Sequence, residues 1–117
     1  MTLKQQIGIG LKNNQFFKCF EKETALPITR IIPNITLNRN CQTEMIIDFF
    51  QGEGEDIQSS SMKLLTTVKV PIPKYTLIKD LPMEIVCEIT EEYILTITVR
   101  NQDTKEILLK HESITIE

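Results

Sequence analysis

Apolar and polar residues alternate along several short segments of the chain, and this pattern is typical of β-strands. In the segment Ile7-Gly8-Ile9-Gly10-Leu11, the large apolar side chains occupy the odd positions. Successive side chains of a strand point to opposite faces, so such a segment buries one face and exposes the other. Strands are predicted at residues 7–11, 15–21, 31–37, 44–51, 65–70, 83–89, 93–100 and 107–116.

Short polar segments separate these strands and predict how they connect. Residues 12–14 read Lys-Asn-Asn and favour a tight turn, because Asn tolerates a positive φ. This turn would join the first two predicted strands into a hairpin. Residues 38–42 predict a second turn, which would pair the third and fourth predicted strands as another hairpin. Residues 101–105 predict the last hairpin turn.

Three prolines restrict where their segments can lie in a sheet. Pro33 falls inside the third predicted strand and has no N–H to donate, so it places that strand at a sheet edge or at a bulge. Pro71 and Pro73 remove two further donors, and the segment around them therefore cannot be a central strand.

The composition agrees with an all-β fold. The 117 residues include 18 Ile, 13 Thr and 4 Val, whereas Ala25 is the only alanine. β-Branched side chains lose rotamer freedom in a helix and pack well on a pleated sheet, while alanine is the best helix former. We therefore predict one domain over residues 1–117, a β-sandwich of about eight mostly antiparallel strands.

The net charge and the distribution of apolar residues argue against two classes of partner. The formal net charge is −3 and the pI is near 5.2, so the chain lacks the basic balance with which nucleic-acid binders displace counterions. No run approaches the roughly 18 apolar residues of a membrane-spanning helix, and the first residues lack the apolar core of a signal peptide. We expect neither a nucleic acid nor a membrane as partner.

The cysteines and the single histidine give no sign of catalysis or of a metal site. Cys19, Cys41 and Cys87 cannot all pair, and their spacing matches no zinc-binding pattern, so free thiols in a reducing compartment such as the cytoplasm are expected. His111 is near no cysteine in the sequence, which favours a surface or packing role. The acidic residues 53–56 lack the ligand spacing of a calcium-binding loop and predict a solvated loop. We expect no enzyme activity and no metal or organic cofactor in these residues.

Five short motifs follow one another along nearly the whole chain. They are Ile7-Gly8-Ile9, Leu26-Pro27-Ile28-Thr29-Arg30, Gln51-Gly52-Glu53, Leu81-Pro82 with Ile85 and Ile89 after it, and Ile94-Leu95-Thr96-Ile97. In this order they resemble motifs of the β-sandwich substrate-binding domain of the heat-shock protein 70 (DnaK-type) chaperones. Glu92-Tyr93 stands where the family has Asp-Gly. The family's ATPase domain, interdomain linker and helical lid have no counterpart in these residues, so the resemblance implies a piece of a longer, divergent chaperone.

The resemblance implies a chaperone function, the binding of extended hydrophobic segments of unfolded polypeptides. In the family, backbone hydrogen bonds hold an extended peptide in a channel, and a central apolar pocket takes one side chain, usually leucine-like. ATP and magnesium would bind the absent ATPase domain, and co-chaperones would act on the full-length protein. An open channel and unpaired strand edges also predict self-association. The implied pocket residues are Ile9, Leu11, Ile35, Leu37, Met45, Ile47 and Met83.

Two polar residues, Lys12 and Asn38, match the positions of the family's arch over the peptide backbone. Their polarity implies a weaker or hydrated arch, and the charge of Lys12 would disfavour basic residues beside the bound side chain. Both residues also fit ordinary turns, and the seven pocket residues alternate just as the core of a sandwich does. The alternative is therefore a structural or interaction domain, a degenerate relative whose channel is filled.

Overall fold

Eight β-strands form most of the regular structure in the computed structural model, which describes residues 1–10, 16–37, 39–53 and 62–116. A single 3₁₀ turn at Ile78–Asp80 is the longest helical element in these ranges. No helix there has the length and apolar character to cross a membrane. The strands are β1 (Gln6–Gly10), β2 (Phe16–Phe20), β3 (Ile28–Ile35), β4 (Glu44–Gly52), β5 (Lys63–Pro71), β6 (Met83–Ile89), β7 (Ile94–Asn101) and β8 (Ile107–Thr115).

The strands form two four-stranded sheets that pack as a sandwich. Sheet I has the strand order β2-β1-β4-β5, and sheet II has the order β3-β6-β7-β8. Neighbouring strands are antiparallel in both sheets. The predicted all-β sandwich of about eight mostly antiparallel strands is confirmed. The two sheets approach each other most closely along the edge strands β5 and β8.

The prediction that the third and fourth strands form a hairpin is wrong. β3 pairs with β6 in sheet II, whereas β4 lies between β1 and β5 in sheet I. The eight residues between β3 and β4 are enough to cross the roughly 10 Å between packed sheets. Alternation along a strand shows which face is buried but not which strand is its neighbour, so both arrangements satisfy the same pattern.

The prolines lie where the absence of an N–H is tolerated. β3 is an edge strand, and its pairing with β6 shifts register between Ile32 and Ile35, so that Pro33 and Asn34 form a bulge. Asn34 has a φ of 62°, in the left-handed region that Asn adopts more readily than most residues. Pro71 is the last residue of the edge strand β5. The sequence prediction from Pro33 is confirmed, because β3 is an edge strand and Pro33 lies in a bulge.

The hydrophobic core lies between the inner faces of the two sheets. Alternate residues of each strand face inward, and antiparallel partners such as Cys87 and Ile97 share the same face. Full burial of one such aliphatic side chain contributes roughly 1.5–3 kcal/mol. The buried residues of sheet I include Ile7, Ile9, Phe20, Met45, Ile47, Phe49, Val68 and Val70, and those of sheet II include Ile32, Met83, Ile85, Cys87, Ile89, Leu95, Ile97 and Val99.

Two turns fix opposite ends of sheet II. The β7–β8 hairpin turn is confirmed at residues 101–105, where the Asn101 side chain accepts hydrogen bonds from the backbone N–H groups of Asp103 (2.9 Å) and Thr104 (3.1 Å). At the other end, the hydroxyl of Tyr93 donates to the carbonyl of Thr2 (2.9 Å). The predicted turn at 12–14, residues 54–56 of the acidic loop and the side chain of His111 lie outside the described residues.

Candidate functional site

A cavity of about 480 Å³ lies between the two sheets, where β1 and β3 end and β2 and β4 begin. Sheet I contributes residues of β1, β2 and β4 to its wall, and sheet II contributes residues of β3 and β6. The edge strands β5 and β8, where the sheets come closest, contribute none of its described lining. The cavity therefore occupies the more open side of the sandwich.

Buried aliphatic side chains from both sheets form the floor of the cavity. Ile9, Met45 and Ile47 are buried on the inner face of sheet I. Met45 and Ile47 share that face because they are two residues apart on one strand. Ile32 and Ile85 are antiparallel partners in sheet II, so their side chains also share one face. The floor consequently offers only apolar contacts.

The exposed residues of the lining form the rim of the cavity, and they are Phe17, Pro33, Asn34, Thr36 and Ile46. The bulge at Pro33 and Asn34 interrupts the regular pairing of β3 with β6 just before the strand ends at Ile35. A bulge bends its strand and disrupts the local ladder of hydrogen bonds. Pro33 and Asn34 thus bring to the rim the part of β3 that has left the regular ladder.

Gln102, in the β7–β8 turn, fixes this rim from outside the cavity. Its side-chain oxygen accepts a hydrogen bond from the backbone N–H of Asn34 (2.7 Å), and its side-chain nitrogen donates to the amide oxygen of Asn34 (3.3 Å). The backbone N–H of Gln102 donates to the carbonyl of Pro82 (2.8 Å). The bulge of β3 is therefore tied to a hairpin turn of the same sheet.

The lining carries no charged side chain among the residues that the structure describes. A charged group placed in the cavity would lose hydration without gaining an ionic partner, and that loss is expensive. The polar side chains of Asn34 and Thr36 lie at the rim, where they remain in contact with water. The site therefore suits a neutral apolar group whose attachment point stays polar.

The structure brings together four of the seven pocket residues implied by the resemblance. Ile9, Ile35, Met45 and Ile47 all line the cavity. Leu37 and Met83 do not belong to its lining: they are 3% and 0% exposed and pack in the core. Leu11 and the two arch residues, Lys12 and Asn38, lie outside the described residues.

Sequence reasoning missed four large side chains of the lining, Phe17, Ile32, Ile46 and Ile85. Phe17 is the antiparallel partner of Ile9, so the predicted hairpin of the first two strands contained the signal that places it beside a pocket residue. Ile32 and Ile85 join the site through the pairing of β3 with β6. The wrong hairpin of the third and fourth strands concealed that pair.

The ionisable groups outside the cavity have structural surroundings. Burial raises the pKa of the Cys19 thiol to about 12, against a smaller opposing effect of the Arg30 charge. Burial also raises the pKa of Cys87, and the nearby Cys19 acts in the same direction. Cys41 is exposed. No group of three His, Cys, Asp or Glu side chains able to hold a metal ion occurs in the described part of the chain.

A buried carboxylate, Glu84, lies on β6 between two cations. It accepts a hydrogen bond from the Lys105 ammonium (2.5 Å) and one from the Arg100 guanidinium (3.4 Å). The hydrogen bond from Lys105, supported by Arg100, holds the pKa of Glu84 below its usual value despite desolvation. Because Arg100 is on β7 and Lys105 follows it in the turn, the cluster joins β6 to the β7–β8 hairpin.

Comparison of the chain with protein-family models and with curated proteins finds no match. The cavity and the sequence motifs are therefore the features of this chain that bear on its function.

Proposed function

We propose that this chain binds an extended segment of another polypeptide and takes one apolar side chain of that segment into the cavity between the sheets. In this proposal it is the peptide-binding part of a chaperone of the heat-shock protein 70 type, and ATP acts through a separate domain. The observation that carries the proposal is the apolar cavity of about 480 Å³ with the polar side chains of Asn34 and Thr36 at its exposed rim.

The size of the cavity supports a side chain as the guest. Sites for small organic groups range from about 300 to 1,000 Å³ and combine an apolar lining with a few polar groups that set orientation. Here the apolar lining is the floor, and the polar groups are Asn34 and Thr36 at the rim. An extended chain that crosses the rim can point one side chain inward while its backbone stays at the polar edge.

The expected gain from the guest side chain is moderate. Burial of one leucine-sized side chain contributes roughly 1.5–3 kcal/mol. Every 1.4 kcal/mol corresponds to about a tenfold change in Kd, so the cavity accounts for roughly one to two powers of ten in affinity. A peptide with a polar residue at the same position should lose that part of the binding.

Fluorescence polarisation with two labelled heptapeptides tests the proposal. The peptides differ only at the central residue, Leu in one and Asp in the other, and the Leu peptide should bind about tenfold or more tightly. Met45→Trp fills the cavity from its floor, and Thr36→Trp obstructs it from the exposed rim without disturbing the core. Both variants should lose the preference for Leu. The control is Leu64→Trp, at an exposed position of β5 outside the cavity.

Equal binding of the two peptides would contradict the proposal. So would a preference for Leu that persists in the folded Thr36→Trp variant, because binding would then occur elsewhere. Either outcome would favour the alternative, a sandwich that serves as a structural or interaction domain without an open peptide channel.

A further inference from the structure

Phe16 and Phe17 are neighbours on β2, but their side chains lie on opposite faces of sheet I. Phe17 is the antiparallel partner of Ile9, whose side chain is buried on the inner face, so Phe17 also faces inward. The ring of Phe16 lies on the outer face over Gly8, where its Cζ atom is 2.7 Å from the position that a Cβ would take. Of these two phenylalanines, Phe17 lines the cavity and Phe16 does not.

Phe17 is the only aromatic residue among the described residues that line the cavity. Although it faces inward, it remains 44% exposed. Because Phe17 lies on the edge strand β2 and also lines the cavity, part of its exposed surface faces the opening between the sheets. Part of the ring therefore has no protein neighbour and is available to a guest.

The rest of the cavity also suits an aromatic guest. A volume of about 480 Å³ exceeds the lower end of the range of small-ligand sites, and thus accommodates a ring as well as an aliphatic group. Met45 on the floor carries a polarisable thioether, which makes favourable contacts with ring edges. The lining described here has no charge that would favour a cationic or anionic side chain instead.

We infer that the cavity prefers an aromatic side chain, phenylalanine above leucine, and that Phe17 is the residue that sets this preference. The inference rests on the proposed function and narrows its substrate class to extended segments with an aromatic residue. Aromatic pairs in offset-stacked or edge-to-face geometry gain stabilisation beyond the burial of area. The affinity for a central Phe should therefore exceed that for a central Leu by about three- to tenfold.

Fluorescence polarisation with heptapeptides that carry Phe, Leu or Asp at the centre of one common sequence measures this preference. In the unsubstituted protein, the Kd of the Leu peptide should be about three to ten times that of the Phe peptide. Phe17→Leu should bring this ratio to about 1, because it keeps an apolar wall and removes the ring. The matched control, Phe16→Leu, makes the same substitution at the adjacent residue on the other face and should preserve the ratio.

The outcomes separate the inference from the proposed function. If the Leu peptide binds as tightly as the Phe peptide and both bind better than the Asp peptide, the inference is overturned and the proposed function stands. If none of the three is preferred, both are overturned. A ratio that survives Phe17→Leu, or one that Phe16→Leu abolishes, overturns the assignment to Phe17. Thermal unfolding verifies that each variant is folded.

Discussion

At the scale of single residues, burial determines the chemistry of the three cysteines. Cys19 and Cys87 face the core from β2 and β6, whereas Cys41 is exposed between β3 and β4. Burial disfavours the thiolate, which is the reactive form, and raises the pKa of Cys19 to about 12. The pKa of Cys87 is raised for the same reason. The two buried thiols are therefore protected both by their protonation and by the surrounding side chains.

This protection predicts the reactivity of the folded protein toward a thiol reagent. At about pH 8, near the pKa of an ordinary thiol, one equivalent should react rapidly and two should react only after unfolding in denaturant. A disulfide reagent that releases one coloured thiolate per reacted cysteine is suitable, because the absorbance of that thiolate counts the equivalents. Cys41→Ser should abolish the rapid phase and leave the two slow equivalents. A rapid phase of two or more equivalents would contradict the burial of Cys19 and Cys87.

At the scale of elements, the cluster around Glu84 makes the stability of sheet II depend on pH. The pKa of Glu84 is lower in the folded protein than in the unfolded chain, first because of the hydrogen bond from Lys105. A carboxylate with a lowered pKa contributes stability above its unfolded pKa and loses it as the pH falls through the folded pKa. The ionised form therefore supports the fold at neutral pH but not in acid.

Glu84→Gln should consequently lower the free energy of unfolding at neutral pH. The difference from the unsubstituted protein should shrink as the pH falls below about 4.5, since the carboxyl group is then protonated in the unfolded chain and progressively in the folded protein. Denaturant unfolding at a series of pH values measures this difference. Glu88→Gln, at an exposed position of the same strand, is the control. A difference that stays constant or grows in acid would contradict the assigned role of Glu84.

A second prediction at this scale concerns the tie between the bulge of β3 and the β7–β8 turn. Gln102→Ala removes both hydrogen bonds to Asn34 but keeps the backbone hydrogen bond to Pro82. Hydrogen exchange at the Asn34 amide should become faster, and the affinity for a central-Leu peptide should fall about two- to tenfold. The free energy of unfolding should change by only about 1 kcal/mol because the contact is largely exposed.

Asp103→Ala is the matched control. Asp103 is adjacent to Gln102, and it takes part in the turn through its backbone N–H, which the substitution keeps. It should leave both the Asn34 exchange rate and the peptide affinity unchanged. Faster exchange in Gln102→Ala without any loss of affinity would show that the rim does not position the peptide.

The elements themselves could be predicted from sequence because their signals are local. Alternation located all eight strands of the described chain to within a few residues, and Pro33 located both an edge and a bulge. The partners of β3 and β4 could not be predicted in this way, because pairing depends on how a connection crosses between sheets. The same limit applies to the site: the resemblance implied Ile9 and Met45 as pocket residues, whereas Ile85, although part of a motif, could be placed at the cavity only through its pairing with Ile32.

At the scale of the whole molecule, the sandwich has a closed side and an open side. The sheets meet most closely along β5 and β8, and the cavity lies opposite, among β1 to β4 and β6. Tyr93 fastens the N-terminal segment at the far end through its hydroxyl and through a contact with Lys4, whose ammonium lies 5.5 Å from the ring centroid. The cavity is thus separated from the end of the molecule at which Thr2 and Tyr93 meet.

The four methionines provide internal probes of this arrangement, since they occupy four different environments. Met45 lines the cavity, Met83 is wholly buried without touching it, Met1 is exposed and Met62 is partly buried. Each methyl group gives a separate signal in a methyl-labelled NMR spectrum, so a guest in the cavity can be located directly.

Titration of methyl-labelled protein with the central-Leu heptapeptide therefore tests directly whether the cavity holds the guest side chain. The Met45 methyl signal should shift in a saturable way and show nuclear Overhauser contacts to the central side chain of the peptide, while the Met83 and Met1 signals stay in place. If the peptide binds while the Met45 signal remains unchanged, or if no signal responds at saturating peptide, the cavity does not hold the guest and the account of this site is wrong.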